Sequence, residues 1–228
     1  MPDADIAAVG ALIGDGARAS MLTTLLGGEA TTAAELARIA GVSRSGASAH
    51  LRKLREGGLV VEEVAGRNHF FRLAGREIAE MLEALARVAP VGRPAGLRES
   101  EATRALKRAR TCYDHLAGRL GVSVTEALVA RRILRLQDGG FALTKTGSTW
   151  FEALGVDVPR VLAERRSFTR ACLDWSERRP HLAGALGAAL TDVALARRWV
   201  RRLPGGRALV VTPPGERWLR DELRVELG

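Results

Sequence analysis

The sequence lacks the features that would place it in a membrane, outside the cell or among disulfide-rich proteins. Its 228 residues contain no run of 18 apolar residues, so no membrane-spanning helix is predicted. The first ten residues have no basic stretch followed by an apolar core, and we therefore expect no signal peptide. Two cysteines are too few for a disulfide framework. These absences favour a cytoplasmic protein in a reducing compartment.

Signatures of common enzyme classes are also missing. The chain contains no Gly-x-Ser-x-Gly, phosphate-binding loop, His-Glu-x-x-His or dinucleotide-binding glycine pattern. It also shows no cluster of carboxylates with a nearby histidine that would suggest acid–base chemistry. We expect that the protein is not an enzyme, and the catalytic alternative that stays open is a thiol- or metal-dependent one.

Lysine is scarce, because only three of the 35 basic residues are lysine and the others are arginine. The formal net charge is +9, but arginine-rich and alanine-rich compositions often reflect a GC-rich genome. The local balance is more informative, since residues 36–76 contain eight basic side chains and three acidic ones. A local excess of positive charge is what an element that faces DNA phosphates needs.

A helix-turn-helix pattern lies in and just before this basic segment. Thr32 stands three residues before Glu35, which is the spacing of a capping box at the start of a helix. Gly41 is placed to end that helix, and Ser43 is placed to cap a second helix, Arg44–Glu56. Two helices separated by a short turn that contains glycine have the spacing of a helix-turn-helix motif.

The flanking segments complete the outline of a winged helix. Apolar spacing predicts two short helices before the motif, over 6–13 and 18–26. A β-hairpin is predicted over 59–73 with its tip at 65–68, and an amphipathic helix over 75–88 follows it. A two-stranded wing directly after a helix-turn-helix is the arrangement that defines this class of domain.

Two motifs in this region carry a family resemblance: Ser45-x-x-Ser48-x-His50-Leu51-x-x-Leu54 and Gly57-Gly58-Leu59-Val60. Over roughly the first 90 residues the chain resembles the ArsR (SmtB/ArsR-like) bacterial repressors. The resemblance implies a homodimer that places residues 44–53 in the major groove of double-stranded DNA at an inverted-repeat operator. It also implies that the wing touches the DNA backbone or the minor groove.

The polar side of the second helix and the tip of the wing supply the candidate DNA contacts. Arg44 can contact guanine through two hydrogen bonds, and serine hydroxyls can bond phosphates or base edges. The candidate DNA-binding residues are Ser43, Arg44, Ser45, Ser48, His50, Arg52, Lys53, Arg67, Asn68 and His69. The alternative is a winged helix that binds only another protein.

Metal sensing cannot be carried over from the family resemblance. Many relatives hold metals through a Cys-x-Cys on the first helix of the motif, or through Asp and His residues on the helix after the wing. Here the segment 35–39 has no cysteine and the segment 75–88 has no histidine. Both familiar sites are therefore absent by residue type.

The second half contains an internal repeat. Residues 115–132 align without gaps with residues 181–198 at an offset of 66, and Thr144 and Thr212 then each precede a terminal helix. A long helix is predicted upstream, over 99–117. We therefore expect two copies of one helix–hairpin–helix unit, related by an approximate twofold axis.

Each copy has the outline of a degenerate winged helix. Ser123 and Glu126 have the spacing of a capping box, which predicts a helix start inside the first copy. Val124, Ala127 and Leu128 are apolar where the first domain has serines and an arginine. We expect a core used for packing, dimerisation or effector binding rather than DNA recognition.

Both cysteines and two of the four histidines fall at repeat-equivalent places, namely Cys112, His115, Cys172 and His181. Two cysteines and two histidines can form a tetrahedral site for zinc or another metal. A thiol pair can instead respond to oxidants. The third interpretation is that the cysteines are buried as small hydrophobic residues. The sequence indicates no firm cofactor, because the spacing within the two copies differs.

Near the second cysteine, Trp175, Arg178 and Arg179 are candidates for lining an effector pocket. An aromatic ring with two guanidinium groups suits a small anionic or aromatic ligand. The alternative for Trp175 is a place in the core. The effector itself is unknown from the sequence.

The expected fold class is mainly α with small β-hairpins (α+β). We expect an N-terminal winged helix-turn-helix domain at 1–90, a linker at 91–99 and a duplicated domain at 100–228, with repeats at about 108–157 and 168–228. The expected function is sequence-specific DNA binding by a dimeric transcriptional repressor that an effector releases.

Overall fold

A computed structural model describes residues 4–28, 30–66, 68–90, 101–203 and 206–227. Their contacts divide the chain into two compact units. The N-terminal unit comprises the described residues up to 104 and Gly206, and the C-terminal unit comprises 105–203 and 207–227. Among these residues no helix is long and apolar enough to cross a membrane. The linker predicted at 91–99 lies outside the described residues.

The chain up to residue 90 forms helices and three short strands. In order they are α1 Ile6–Ile13, α2 Gly16–Leu25, β1 Thr31–Thr32, α3 Ala33–Ala40, α4 Arg44–Glu56, β2 Val60–Ala65, β3 Asn68–Leu73 and α5 Arg76–Val88. The strands make one antiparallel sheet in the order β1-β3-β2. Register places Glu62 opposite Phe71, and Phe71 also faces Thr31 of β1.

Side-chain caps fix where α3 and α4 begin. The backbone N–H of Glu35 donates to the Thr32 hydroxyl at 3.3 Å, and that of Gly46 donates to the Ser43 hydroxyl at 3.1 Å. Gly41 ends α3 with φ 68°, a left-handed conformation that glycine adopts without strain. The predicted capping residues and the turn of the motif are therefore confirmed.

The core of the N-terminal unit lies where α2, α3 and α4 meet the sheet. Met21 and Leu22 of α2, Leu36 of α3, and Leu51 and Leu54 of α4 are all inaccessible or nearly so to solvent. Burial of these side chains contributes about 1.5–3 kcal/mol each relative to exposure. The apolar spacing that predicted the helices is thus the spacing of the side chains that hold them together.

The rest of the chain is built from helices and four two-stranded antiparallel hairpins among the described residues. The elements are α6 Glu101–Arg108, β4 Arg110–Cys112, β5 His115–Ala117, α7 Gly118–Ala130, β6 Leu134–Gln137, β7 Gly140–Leu143, α8 Lys145–Ala153, α9 Val158–Leu162, β8 Arg170–Leu173, β9 Pro180–Ala183, α10 Gly184–Ala196, β10 Val200–Arg202, β11 Leu209–Val211, α11 Pro213–Trp218 and a π-helical turn at Leu219–Leu223.

Hairpin, helix, hairpin and helix follow one another twice in this part of the chain. Local conformations match as well: Gly118 and Gly184 begin the long helices with φ 71° and 85°, and Arg132 and Arg198 follow them with φ 58° and 55°. The twofold relation between the two halves stays a prediction that these local matches support.

Two expectations for this region are wrong, and a third is not confirmed. The helix predicted over 99–117 ends at Arg108, because the next residues form the β4–β5 hairpin. Ser123 and Glu126 do not start a helix, since α7 is continuous from Gly118. The β6–β7 hairpin is therefore preceded directly by the single helix α7, and the β10–β11 hairpin by the single helix α10. A winged helix would have a helix-turn-helix pair at these places, so the winged-helix description of the two repeats is not confirmed.

The core of the C-terminal unit contains large aromatic side chains. The rings of Trp199 and Trp218 stack with centroids 4.1 Å apart and planes inclined by 13°. Phe141 and Phe151 are almost completely buried, and Trp150 packs edge-on against Phe151 at 5.1 Å. Trp199 and Trp218 thus belong to this core, whereas Trp150 is half-buried at its edge.

Two glycines in this unit leave no room for a side chain. A Cβ atom at Gly147 would collide with the carbonyl oxygen of Ile133, and one at Gly215 would collide with that of Trp199. We predict that Gly147→Ala and Gly215→Ala each lower the free energy of unfolding by about 1–3 kcal/mol, because the backbone must shift. Tryptophan fluorescence during denaturant unfolding measures this, since all four tryptophans lie in the C-terminal unit.

Thr146→Ala is the matched control, because its exposed side chain neighbours Gly147 on the same helix turn. It should change the free energy of unfolding by less than about 0.5 kcal/mol. Equal stability of all three variants would contradict the packing described for these turns.

Candidate functional sites

The exposed side of α4 is polar and positively charged. Arg44, Ser45, Ser48, Arg52 and Lys53 are exposed, whereas the opposite side of the helix is buried in the core. Arg44, Ser48 and Arg52 are each four residues apart, so they lie on one face of the helix. The Ser48 hydroxyl donates to the carbonyl oxygen of Arg44 at 3.0 Å.

The start of α4 presents two serines. Ser43 caps the helix, and its hydroxyl oxygen lies 3.1 Å from that of Ser45. Both side chains are exposed beside the first helical turn, where unpaired backbone N–H groups carry partial positive charge. This end of α4 therefore suits an anionic partner such as a phosphate.

His50 does not share the exposed face of α4. Its ring is half-buried, with Nδ1 3.7 Å from the Asp15 carboxylate and 3.5 Å from the Arg18 guanidinium. The backbone N–H of Arg18 and the charge of its side chain lower the pKa of Asp15. The structure thus groups His50 with α2 and separates it from the other candidate residues on α4.

The wing contributes a network of charged groups. Glu62 on β2 accepts from Arg55 of α4, and its Oε1 lies 2.6 Å from His69 Nδ1 on β3. The hydrogen bond from His69, followed by that from Arg55, lowers the pKa of Glu62. Glu63 pairs with Arg72 across the same two strands. Arg67 and the side chain of Asn68 lie outside the described residues.

A groove of about 390 Å³ separates α4 from the wing. Ser48, Arg52 and Arg55 line it from the helix, and Glu62 and His69 line it from the strands. Arg55 was not among the DNA-binding residues predicted from the sequence. Its position seven residues after Ser48 nevertheless places it on the same helix face. The groove gathers three of the predicted residues with this additional arginine.

A second cluster, which we call the thiol–imidazole cluster, lies inside the C-terminal unit. It consists of Cys112, His115, Cys172 and His181, with one potential ligand atom from each residue within 4.8 Å of every other. The two sulfur atoms are 4.0 Å apart, and the two Nε2 atoms are 3.1 Å apart. The structure therefore brings together all four residues that the repeat alignment singled out.

Each histidine of the cluster is backed by a carboxylate. His115 Nδ1 is 3.1 Å from Asp114, and Asp114 is bound by Arg166 at 2.6 Å. His181 Nδ1 is 3.3 Å from Asp174, which is fully buried with Arg110 at 2.8 Å. Burial opposes the charge on Asp174, but the imidazole of His181 and the charge of Arg110 hold the pKa of this carboxyl well below its usual range.

The three candidate effector residues have different surroundings. The half-buried ring of Trp175 lies under the guanidinium of Arg110, which is 4.8 Å from the ring centroid. Arg178 has a left-handed backbone with φ 58°, and exposed Arg179 pairs with Glu126. An effector pocket at these residues stays a prediction.

Helices α2–α4, a short turn between α3 and α4, and the wing define a winged helix-turn-helix protein. A family model described as a helix-turn-helix domain matches residues 13–63. The chain is also 40% identical over 223 residues to the uncharacterized HTH-type transcriptional regulator YdfF of Bacillus subtilis strain 168, covering 98% of this chain and 99% of the relative. The chain therefore belongs to the family of HTH-type transcriptional regulators, and the predicted winged helix-turn-helix is confirmed.

Two solved structures with similar sequences each cover about two fifths of this chain. One is the homodimeric winged helix-turn-helix DNA-binding domain of a possible ArsR-family regulator from Mycobacterium bovis, 29% identical, covering 39% of this chain and 87% of that chain with a TM-score of 0.33. Another is the cadmium metal-sensor CMTR from Mycobacterium tuberculosis. It is 32% identical and covers 42% of this chain and 99% of that chain, with a TM-score of 0.33.

The buried arginine of α2 makes a specific prediction about the N-terminal unit. Arg18 is 8% exposed and donates to the carbonyl oxygens of Leu12 and Ala11, at 2.6 and 2.8 Å. We predict that Arg18→Ala lowers the stability of α2 by about 1–3 kcal/mol, because it removes two hydrogen bonds that the charged guanidinium donates to the end of α1. Hydrogen exchange of the α2 amides measures this effect.

Arg38→Ala is the control, since Arg38 is 64% exposed and lies 3.9 Å from Glu35. Such exposed pairs contribute about 0–1 kcal/mol. If the α2 amides of both variants exchange hydrogen at the wild-type rate, Arg18 does not stabilise α2 as described.

Proposed function

We propose that this transcriptional regulator binds an inverted-repeat operator as a homodimer and represses transcription until an effector releases it. The observation that carries the proposal is the exposed polar face of α4 beside the wing. With 13 residues, α4 is about 20 Å long, long enough to place its first turns in a major groove. Repression is proposed on the ArsR-type resemblance, and the cytoplasm is the proposed location because a bacterial operator lies there.

The proposed contacts divide by chemistry. Arg44, Ser48 and Arg52 are positioned to read base edges from one face of α4, and an arginine is the side chain best suited to guanine. Ser43 and Ser45 at the helix start, Lys53, and the wing residues Arg67, Asn68 and His69 are proposed to bind phosphates. His50 is left out of the proposed contacts, because its ring contacts α2 instead.

Exposed apolar side chains support a homodimer formed by the N-terminal unit. Helix α1 consists almost entirely of apolar residues, yet none of them is buried. Ile6 is 71% exposed, and Leu85 and Val88 on α5 are 40% and 81% exposed. Apolar faces of this kind are normally covered, and a second copy of the same unit is the proposed cover.

Effector control is proposed to act through residues 100–228. The segments 35–39 and 75–88 lack the ligand types that would allow a familiar metal trigger in the N-terminal unit. A ligand that prefers one spacing of two DNA-binding units would change operator affinity, since half-sites lie about 34 Å apart. We propose that this regulation operates by binding and without catalysis.

The DNA-binding proposal is tested with sequences selected from random duplex DNA by the full-length protein. We predict that Arg44→Ala weakens binding to the selected sequence about 5- to 150-fold, because a bidentate base contact contributes about 1–3 kcal/mol. Ser48→Ala should weaken it in the same direction. Fluorescence anisotropy at fixed salt measures both affinities.

Arg160→Ala is the matched control, since it removes one exposed positive charge from the C-terminal unit. It should leave the affinity for the selected sequence within twofold of wild type. If the protein is a folded dimer but the selection enriches no DNA sequence, the result would favour the alternative that the winged helix binds only another protein. Unchanged affinity of both α4 variants would contradict the assignment of the recognition helix.

The dimer interface gives a separate prediction. Val88→Glu should shift the protein from dimer toward monomer, because it places a charge on the apolar face proposed to be buried between two copies. Sedimentation velocity over a range of concentrations measures the shift. Leu162→Glu is the control on α9, where Leu162 is 60% exposed, and it should sediment as wild type. A monomeric wild type, or a fully dimeric Val88→Glu variant, would contradict the interface.

A further inference from the structure

We propose that Cys112, His115, Cys172 and His181 form a tetrahedral site for one zinc-type divalent ion inside the C-terminal unit. The site is independent of the DNA-binding proposal and uses different residues. It contains both cysteines of the chain and the two histidines that lie outside the N-terminal unit.

The spacing of the potential ligand atoms fits a single tetrahedral ion. Zinc binds sulfur at about 2.3 Å and imidazole nitrogen at about 2.0–2.1 Å, so tetrahedral angles require about 3.8 Å between two sulfurs and about 3.3 Å between two nitrogens. The observed separations are 4.0 Å for Cys112 and Cys172 and 3.1 Å for His115 and His181. The four ligand atoms together lie within 4.8 Å of one another, so the sulfur and nitrogen atoms must move closer by up to about 1 Å to complete the coordination.

Two β-hairpins deliver these ligands in pairs. Cys112 on β4 is the cross-strand partner of His115 on β5, and Cys172 on β8 is the cross-strand partner of His181 on β9. Directly opposed residues of antiparallel strands have side chains on the same face of the hairpin. This pairing explains why separations of three and nine residues produce the same arrangement, since only the loops between the strands differ in length.

The groups behind the histidines select Nε2 as the ligand atom. Each Nδ1 faces a carboxylate, from Asp114 or Asp174, so each Nδ1 is suited to carry the proton. Both Nε2 atoms then present lone pairs to each other across 3.1 Å. Two lone pairs at this distance repel each other unless a proton or a cation lies between them. A metal ion can accept both lone pairs and can bind the two nearby thiolates at the same time.

The site is closed and electrically balanced. His115, Cys172 and His181 are buried, and Cys112 is partly buried. Two thiols release their protons when the ion binds, so a divalent cation with two thiolates and two neutral imidazoles carries no net charge. Four protein ligands leave no open position for a reacting water, which is the property of a structural or regulatory zinc site.

Bound metal would join the two halves of the C-terminal unit. One ligand pair lies on the β4–β5 hairpin and the other on the β8–β9 hairpin, about 60 residues further along the chain. Metal binding is linked to folding when its ligands come from separated segments. The ion should therefore stabilise this unit against unfolding.

The test uses full-length protein purified without added metal, with its metal content measured by elemental analysis and its affinity by cobalt(II) titration. The expected result is one equivalent of metal per chain, and cobalt spectra that combine tetrahedral bands with sulfur-to-cobalt charge transfer. Cys172→Ser and Cys112→Ser should each lose the charge-transfer intensity of one thiolate and bind at least 100-fold more weakly. His69→Gln, at a histidine of the wing, should retain wild-type stoichiometry.

A variant outside the ligand set separates metal binding from folding. Asp114 is partly exposed, so Asp114→Asn should fold, and loss of the carboxylate behind His115 should weaken metal affinity about 10- to 100-fold. Octahedral cobalt spectra without sulfur charge transfer, or wild-type protein that takes up no metal while both thiols remain reduced, would overturn the proposal. A disulfide between Cys112 and Cys172 in protein purified under reducing conditions would overturn it as well.

Discussion

The buried ion pair between Arg110 and Asp174 is the interaction on which the C-terminal unit depends. Both side chains are completely inaccessible to solvent, and they join β4 to the turn that follows β8. The carboxylate also accepts from the backbone N–H of Gly118 at 2.7 Å and from the hydroxyl of Ser176 at 2.7 Å. Removing one partner of such a pair typically costs about 3–5 kcal/mol, because the other charge stays buried.

This ion pair has consequences beyond stability. Gly118 begins α7, so the carboxylate of Asp174 ties the start of that helix to the β8–β9 hairpin. The same carboxylate lies 3.3 Å from Nδ1 of His181, one member of the thiol–imidazole cluster. A single desolvated carboxylate therefore joins β4, the start of α7 and the β8–β9 hairpin beside one candidate metal ligand.

Local signals in the sequence predicted most elements of the N-terminal unit. The caps at Thr32 and Ser43, the left-handed Gly41 and the apolar spacing of α4 act within a few residues, so they can be read from the chain directly. The two-residue strand β1 was missed, because it exists only through pairing with β3. The contacts of His50 with Arg18 and Asp15 were not predicted for a similar reason, since these residues lie 32 and 35 positions away in the chain.

Long-range pairing explains what the sequence could not predict in the C-terminal unit. The repeat alignment identified all four residues of the thiol–imidazole cluster, but not their geometry, because strand pairing across unequal loops determines it. The segment Gly121–Val122–Ser123 resembles the turn at Gly41, yet it lies inside α7. The helix start is fixed instead by the preceding hairpin and by Gly118, whose φ of 71° turns the chain into the helix.

X-ray absorption at the metal edge of the full-length protein tests the cluster most directly. The arrangement predicts two sulfur neighbours at about 2.3 Å and two nitrogen neighbours at about 2.0–2.1 Å around a single zinc ion. Imidazole scattering from both histidines should accompany them. A shell of oxygen and nitrogen neighbours without sulfur would contradict a site formed by Cys112, His115, Cys172 and His181.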